Sequence, residues 1–323
     1  MRSKSQAILA LAVPAILASA AAVAASDDFR LEKQFDLASG GSFSLRSEAG
    51  GVEVRGGDGE RATVVVTSDR EDFAEIYNVR FDAQPSHVGV IIERKSRGVF
   101  SWFGGFRGRV HVDVTLPRRV DADLDSSGGG LEVSGLEGRL KADSSGGGVR
   151  ISDITGDVVL SSSGGSAKVE RVHGGVRAES SGGGVSVSAV DGAAHLESSG
   201  GSIVAEEIGG DVDASSSGGG VRISEAHGAV VADSSGGPVR VSFAAGNAKG
   251  GSLGSSGGGV VASVDPSVNL EIDASSSGGS VSSDLPVTIR GKVSRDSLRG
   301  NLNGGGAVLK LRSSGGGIDL KPR

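Results

Sequence analysis

Apolar positions in this chain recur at a fixed interval of 18 residues. One column reads Leu131, Val149, Ala167, Val185, Ile203, Val221 and Val239, and a second, two residues later, reads Val133, Ile151, Val169, Val187, Ala205, Ile223 and Val241. Nine residues after the first column stand Leu140, Val158, Val176, Ala194, Val212, Val230 and Ala248. These are followed two later by Ala142, Leu160, Ala178, Leu196, Ala214 and Ala232. An apolar pair at i and i+2 with a polar residue between is the inward face of a short strand. Each 18-residue unit therefore predicts two strands. One such unit cannot close its own apolar face, but stacking like on like turns every column into a continuous interior stripe.

Between the strands lie the corners. Ser-Ser-Gly-Gly occurs ten times, with its first serine at Ser126, Ser144, Ser162, Ser180, Ser198, Ser216 and Ser234 in strict register, then at Ser255, Ser276 and Ser313 in looser register. Glycine-serine tracts usually mark flexible linkers, but a linker has no reason to keep a register. The expected fold is all-β, a parallel β-solenoid of the β-helix or β-roll kind with two short strands per coil. Corner glycines are expected to turn the chain through positive φ, and the serines to form hydroxyl ladders or cap the bend. About ten coils at ~4.8 Å each give a stack on the order of 50 Å long.

Composition changes the picture at the ends. The chain has 56 glycines among 323 residues and only 3% aromatics. Eight of its nine phenylalanines, with Trp102 and Tyr77, lie before position 107. An ordinary aromatic core is thus available only in an N-terminal β region, 26–120, where 62–68, 87–92 and 109–116 alternate as strands. The stretch 43–59 already resembles one coil, so 69–116 reads as a β insertion between it and the main stack. The solenoid proper is assigned to 121–323, with regular coils at 126–251 and irregular ones at 252–323.

Residues 1–25 carry Arg2 and Lys4, then an uncharged run and a small-residue end at Ala22-Val23-Ala24. That is the pattern of a cleaved secretory signal peptide, which predicts export to the periplasm or cell surface with no stable transmembrane segment left afterwards. Removing it leaves 31 basic residues against 39 acidic ones, a balance that gives no support to nucleic-acid binding. With no cysteine, disulfides, thiolate metal sites and a lipid-acylated cysteine are all excluded.

No residue pattern points to catalysis or to a cofactor. Glycine runs lack the Lys-Ser/Thr of a P-loop, and a nucleophilic serine needs a histidine within reach. His173 and His227 share an offset three coils apart, roughly 14 Å, too far to hold one ion. A calcium β-roll has the same coil length but requires an aspartate in each turn, where this chain has Val-x-Val. Arg150, Lys168, Arg222 and Arg240 share one outward column, and Asp143, Glu179, Glu197 and Asp233 another; both read as interrupted solvated faces. One stretch, 93–109, reverses the local charge. Phe100, Trp102, Phe103 and Phe106 stand there among Arg97, Arg107 and Arg109, either as a cap over the first coil, the favoured reading, or as a contact for a partner.

The motifs FSLRSEAGGVEVRGGDG (43–59), VHVDVTLP (110–117), the tandem DSSGGGLEVSGLEG units and LRGNLNGGGAVLKLRSSGGGIDL (298–320) resemble a bacterial family of β-strand-repeat proteins of unknown function described as putative adhesins. The resemblance covers about 29–320 and implies an exported β-solenoid. The expectation is a non-enzymatic protein whose repetitive surface meets an envelope component, a polysaccharide or another protein. The alternatives are a polysaccharide-processing β-helix enzyme, a calcium-binding β-roll and, more remotely, lattice binding by the serine ladder.

Overall fold

The computed structural model describes residues 29–95, 108–290 and 294–323. Nearly all ordered segments are strands, collected in one sheet of 14 and one of 15. Val149–Thr155, for example, stacks in parallel register on Leu131–Ser134 below and Ala167–His173 above, with Val149 opposite Leu131 and Ala167. On the other sheet Leu140–Ser144 stacks on Val158–Ser162, with Leu140 opposite Val158. The predicted columns are therefore the interior stripes of a parallel β-solenoid. Their Val, Leu and Ile members are buried from Leu131 to Val241.

A third inward column was not read from the sequence. Leu136, Ile154, Val172, Val190, Ile208 and Ala226 are all buried, and Phe243 takes the place opposite Ala226 in the next coil after a register shift, although strict alternation from Ile151 would place the next inward residue at 153. The chain steps out of alternation through a left-handed residue, and this position is held by Asp153, Arg171, Ala189, Glu207 and Glu225, with φ between 53° and 58°, and by Gly135 in the first regular coil. Two consecutive side chains then point outward and the following one returns to the core.

Positive φ was expected at the glycines of both corner types; at the other corner Gly138, Gly156 and Gly246 adopt it, but at the Ser-Ser-Gly-Gly corners the expectation fails. None of those glycines is left-handed. They are required because successive corners stack backbone on backbone: a Cβ on Gly183 would stand 2.6 Å from the Gly165 carbonyl carbon. The first serine of each corner is buried and caps the bend. The Ser198 hydroxyl donates to the Gly183 carbonyl of the preceding coil (3.0 Å) and accepts from the Gly201 N–H (3.0 Å); Ser180, Ser216 and Ser234 do the same.

Ala248 was also expected inside, but it is exposed. The corner after Phe243 is longer than the others, and buried Asn247 fills it by donating to the Ala226 and Gly228 carbonyls. The inward positions pass to Gly251 and Leu253, paired with Val230 and Ala232.

At the N-terminal end the strands are β1 (Phe29–Asp36), β2 (Gly41–Ser47), β3 (Gly51–Gly57), β4 (Arg61–Ser68), β5 (Tyr77–Gln84), β6 (His87–Arg94), β7 (Val110–Pro117), β8 (Val120–Ser126) and β9 (Leu131–Ser134). The coil β2/β3 stacks directly on β8/β9. The strands inserted between them in sequence lie outside: β6 and β7 stack in parallel on β2 and β3, and antiparallel β5, β4 and then β1 close the two sheets. Phe29 against Phe73 (4.6 Å between ring centroids), Phe73 against Tyr77 (5.1 Å) and Phe35 against Phe81 (5.3 Å) join the closing strands.

The C-terminal end is threaded. The last coil of the sequence, Ala307–Ser313 with Ile318–Pro322, lies between the coil ending at Val264 and the coil formed by Leu270–Ser276 with Val281–Ser283. Counting the coil made by β6 and β7, twelve parallel coils stack, about 53 Å end to end at the usual strand spacing.

Candidate functional site

With apolar and hydroxyl columns turned inward, the chemistry of the regular coils lies on the outer faces of two sheets. The like-charged columns read from the sequence do stack: Arg150 is opposite Lys168, Arg222 opposite Arg240, and Glu179 opposite Glu197. Most of these charges are paired on their own strand or with the next coil. Arg177 holds Glu179 (2.8 Å) and Lys168 holds Glu170 (2.8 Å), whose carboxyl is thereby kept below its ordinary range. Arg171 grips Asp153 with two nitrogens (2.7 and 2.9 Å) and lowers its pKa likewise. Neighbouring opposite charges thus offset the repulsion along each column.

The histidines separate into different arrangements. His173 Nδ1 lies 2.6 Å from Asp191, one coil away, and does not meet His227. His195 spans two carboxylates with opposite edges of its ring, Nδ1 to Asp213 (3.2 Å) and Nε2 to Glu197 (2.8 Å). His87 takes a different hydroxyl at each nitrogen, Ser42 at 2.9 Å and Ser44 at 3.4 Å. That serine–histidine contact lacks the carboxylate that would orient the base. The buried corner serines are committed to backbone partners and, as satisfied hydroxyls, are not poised for attack.

His111 differs. On the outer face of the first sheet its Nε2 stands 3.1 Å from Asp113 Oδ1 and 3.7 Å from Glu53 Oε2. The three form the one group of metal-ligating side chains converging within 4.8 Å among the described residues. Glu53 and His111 line the head of a shallow groove of about 640 Å³ that runs across successive coils past Glu132, Arg150 and Lys168. Sequence reading missed this group because Glu53 and His111 are brought together only when β7 stacks on β3. The alternating His and Asp of VHVDV was its one visible signal.

Of the residues proposed from sequence as a partner contact, Arg97, Phe100, Trp102, Phe103, Phe106 and Arg107 lie outside the described residues. Arg109 is exposed, and its backbone N–H donates to Asp69 (2.7 Å). Lys95, on the other side of that stretch, bonds through its ammonium to the Ala74 carbonyl (2.6 Å). Both flanking residues therefore sit at the N-terminal cap, next to β6 and β7. No helix among the described residues is long and apolar enough to cross a membrane.

No family model matches the chain, and no curated protein matches it. Several solved structures are similar. A putative cell adhesion protein from Clostridium sporogenes is 11% identical, with 91% of this chain and 100% of that chain covered and a TM-score of 0.23. A putative adhesin from Bacteroides fragilis is 12% identical over 91% and 97%, with a TM-score of 0.35. A putative lipid binding protein from Parabacteroides distasonis is 11% identical over 90% and 96%, with a TM-score of 0.34. At these values the fold assignment rests on the strand register itself.

Proposed function

We propose that this protein is a non-enzymatic, exported scaffold that presents the outer faces of its solenoid for interaction in the cell envelope, with adhesion as the best-fitting role. The supporting observation is the division of labour within each coil. Apolar residues and capping serines turn inward, and short polar side chains with mutually paired charges repeat outward. This builds a long, flat, regular surface without a convergent nucleophile, base and oxyanion pocket among the described residues. Flat repetitive faces suit an extended partner such as a polysaccharide or the surface of another envelope protein. The leader-like residues 1–25 support export.

Two measurements test the reading. N-terminal sequencing of protein recovered from the periplasm or medium should begin close after Ala24, and the purified protein should co-sediment with isolated envelope polysaccharide or whole cells without changing either chemically. Turnover of an acidic glycan, abolished by Glu197→Gln or another outer-face carboxylate substitution, would replace the scaffold reading with an enzymatic one.

A further inference from the structure

We propose that Glu53, His111 and Asp113 form a binding site for one divalent transition-metal ion of the zinc class. Their placement follows from register. Gly51 is opposite His111 and Glu53 is opposite Asp113 in the parallel pairing of β3 with β7, and because Val52, Val54, Val112 and Val114 are buried, the intervening side chains share the outer face. Two strands locked in a stack hold the donors without help from a mobile loop, the kind of rigid support that metal sites need.

The spacing suits a single ion. Bonds of roughly 2.0–2.2 Å to imidazole nitrogen and carboxylate oxygen in a tetrahedral arrangement put neighbouring donors about 3.3–3.5 Å apart, and the observed separations from His111 Nε2 are 3.1 and 3.7 Å. Charge points the same way. Two carboxylates face Nε2, and a cation held among the three groups offsets the repulsion between them. Arg55 pairs with the other oxygen of Glu53, Oε1, which leaves Oε2 for the ion. The imidazole lies over Gly51, where a Cβ would come to 3.7 Å from Nδ1. His111 is half exposed, leaving the remaining coordination positions open to water or to a ligand in the groove.

His195 supplies the internal contrast. It also meets two carboxylates, but from opposite ring nitrogens, so no single ion can touch all three groups. One nitrogen and two oxygens favour zinc, copper or nickel over calcium and magnesium, which prefer all-oxygen shells. The inference is independent of whether the outer faces bind a partner.

Titration calorimetry of the metal-stripped protein with zinc chloride tests it. One zinc per chain should bind, with affinity reduced at least tenfold in each of His111→Ala, Glu53→Gln and Asp113→Asn, and unchanged in His195→Ala. Saturating zinc should raise the melting temperature of the parent protein and leave that of His111→Ala where it was. Calcium chloride should produce neither heat nor shift. The metal-free melting curves of the variants establish that they fold, as expected for substitutions on an outer face. Absence of zinc binding in the parent, undiminished affinity in His111→Ala, loss in His195→Ala instead, or calcium binding as tight as zinc would each overturn the assignment.

Discussion

The two serines at each corner have unequal burdens. Ser198 is buried and exchanges hydrogen bonds with Gly183 and Gly201, whereas Ser199 is exposed. Ser198→Ala leaves the half-buried Gly201 N–H and Gly183 carbonyl without this partner and should destabilise the protein by about 1–2 kcal/mol; Ser199→Ala should stay within about 0.5 kcal/mol of the parent. Chemical denaturation of both variants measures the difference, and equal losses would show that the buried hydroxyl is not the reason for the motif. The sequence made the serine column visible and correctly suggested a cap at the bend. It did not reveal why glycine follows, because backbone stacking between coils, as at Gly183, is a contact between residues of different repeats.

At the scale of the element, the unit is one coil. Removing 162–179 joins Ser161 to Ser180, so Leu160 takes the place of the deleted Ala178 and every column stays in register. That variant should fold cooperatively with a melting temperature close to the parent's. Removing only 162–170 places a Ser-Ser-Gly-Gly corner over the other corner type and turns apolar residues outward, which should abolish cooperative melting. Circular dichroism during heating distinguishes the two, and equal stability would refute coil-on-coil stacking. The two strands of each coil were legible from their i, i+2 pairs. The third inward column was not, because Asp153, Arg171, Ala189, Glu207 and Glu225 adopt a left-handed backbone that most of their side chains disfavour in isolation. Their neighbours in the stack impose it.

For the whole molecule the ends decide stability, since an open solenoid exposes unpaired edges. At the C-terminal end Asp273 ties the threaded coil in place: its carboxylate accepts from Arg312 (2.7 Å) and from Arg299 (3.3 Å), and the Arg312 hydrogen bond holds its pKa below the ordinary aspartate range. A carboxyl with a depressed folded-state pKa contributes stability that is complete above the unfolded value, about 3.9, and is lost as pH falls toward the lower folded value. Asp273→Asn should therefore cost about 1 kcal/mol at neutral pH, and the gap between variant and parent should close below about pH 4. Denaturation at pH 7, 5 and 3 provides the comparison; a constant gap would mean that the ion pair is not its source.

The sequence by itself determined the repeat, the i, i+2 pairs of inward columns on the two strands and the Ser-Ser-Gly-Gly corner positions, because like-on-like stacking projects each of these stripes onto the chain as a fixed period. Only the tertiary structure decided the spatial order of the terminal coils and the outer-face clusters. A strand of the right length and pattern can dock at either end of the stack, so chain order does not dictate that β6 and β7 lie outside β2 and β3, or that Ala307–Pro322 slips inside Leu270–Ser283. The His111 cluster depends on that choice. Glu53 meets His111 and Asp113 because β7 settles on the free edge of β3, a neighbour relation carried by backbone hydrogen bonds that any strand could make and that no residue pattern announces.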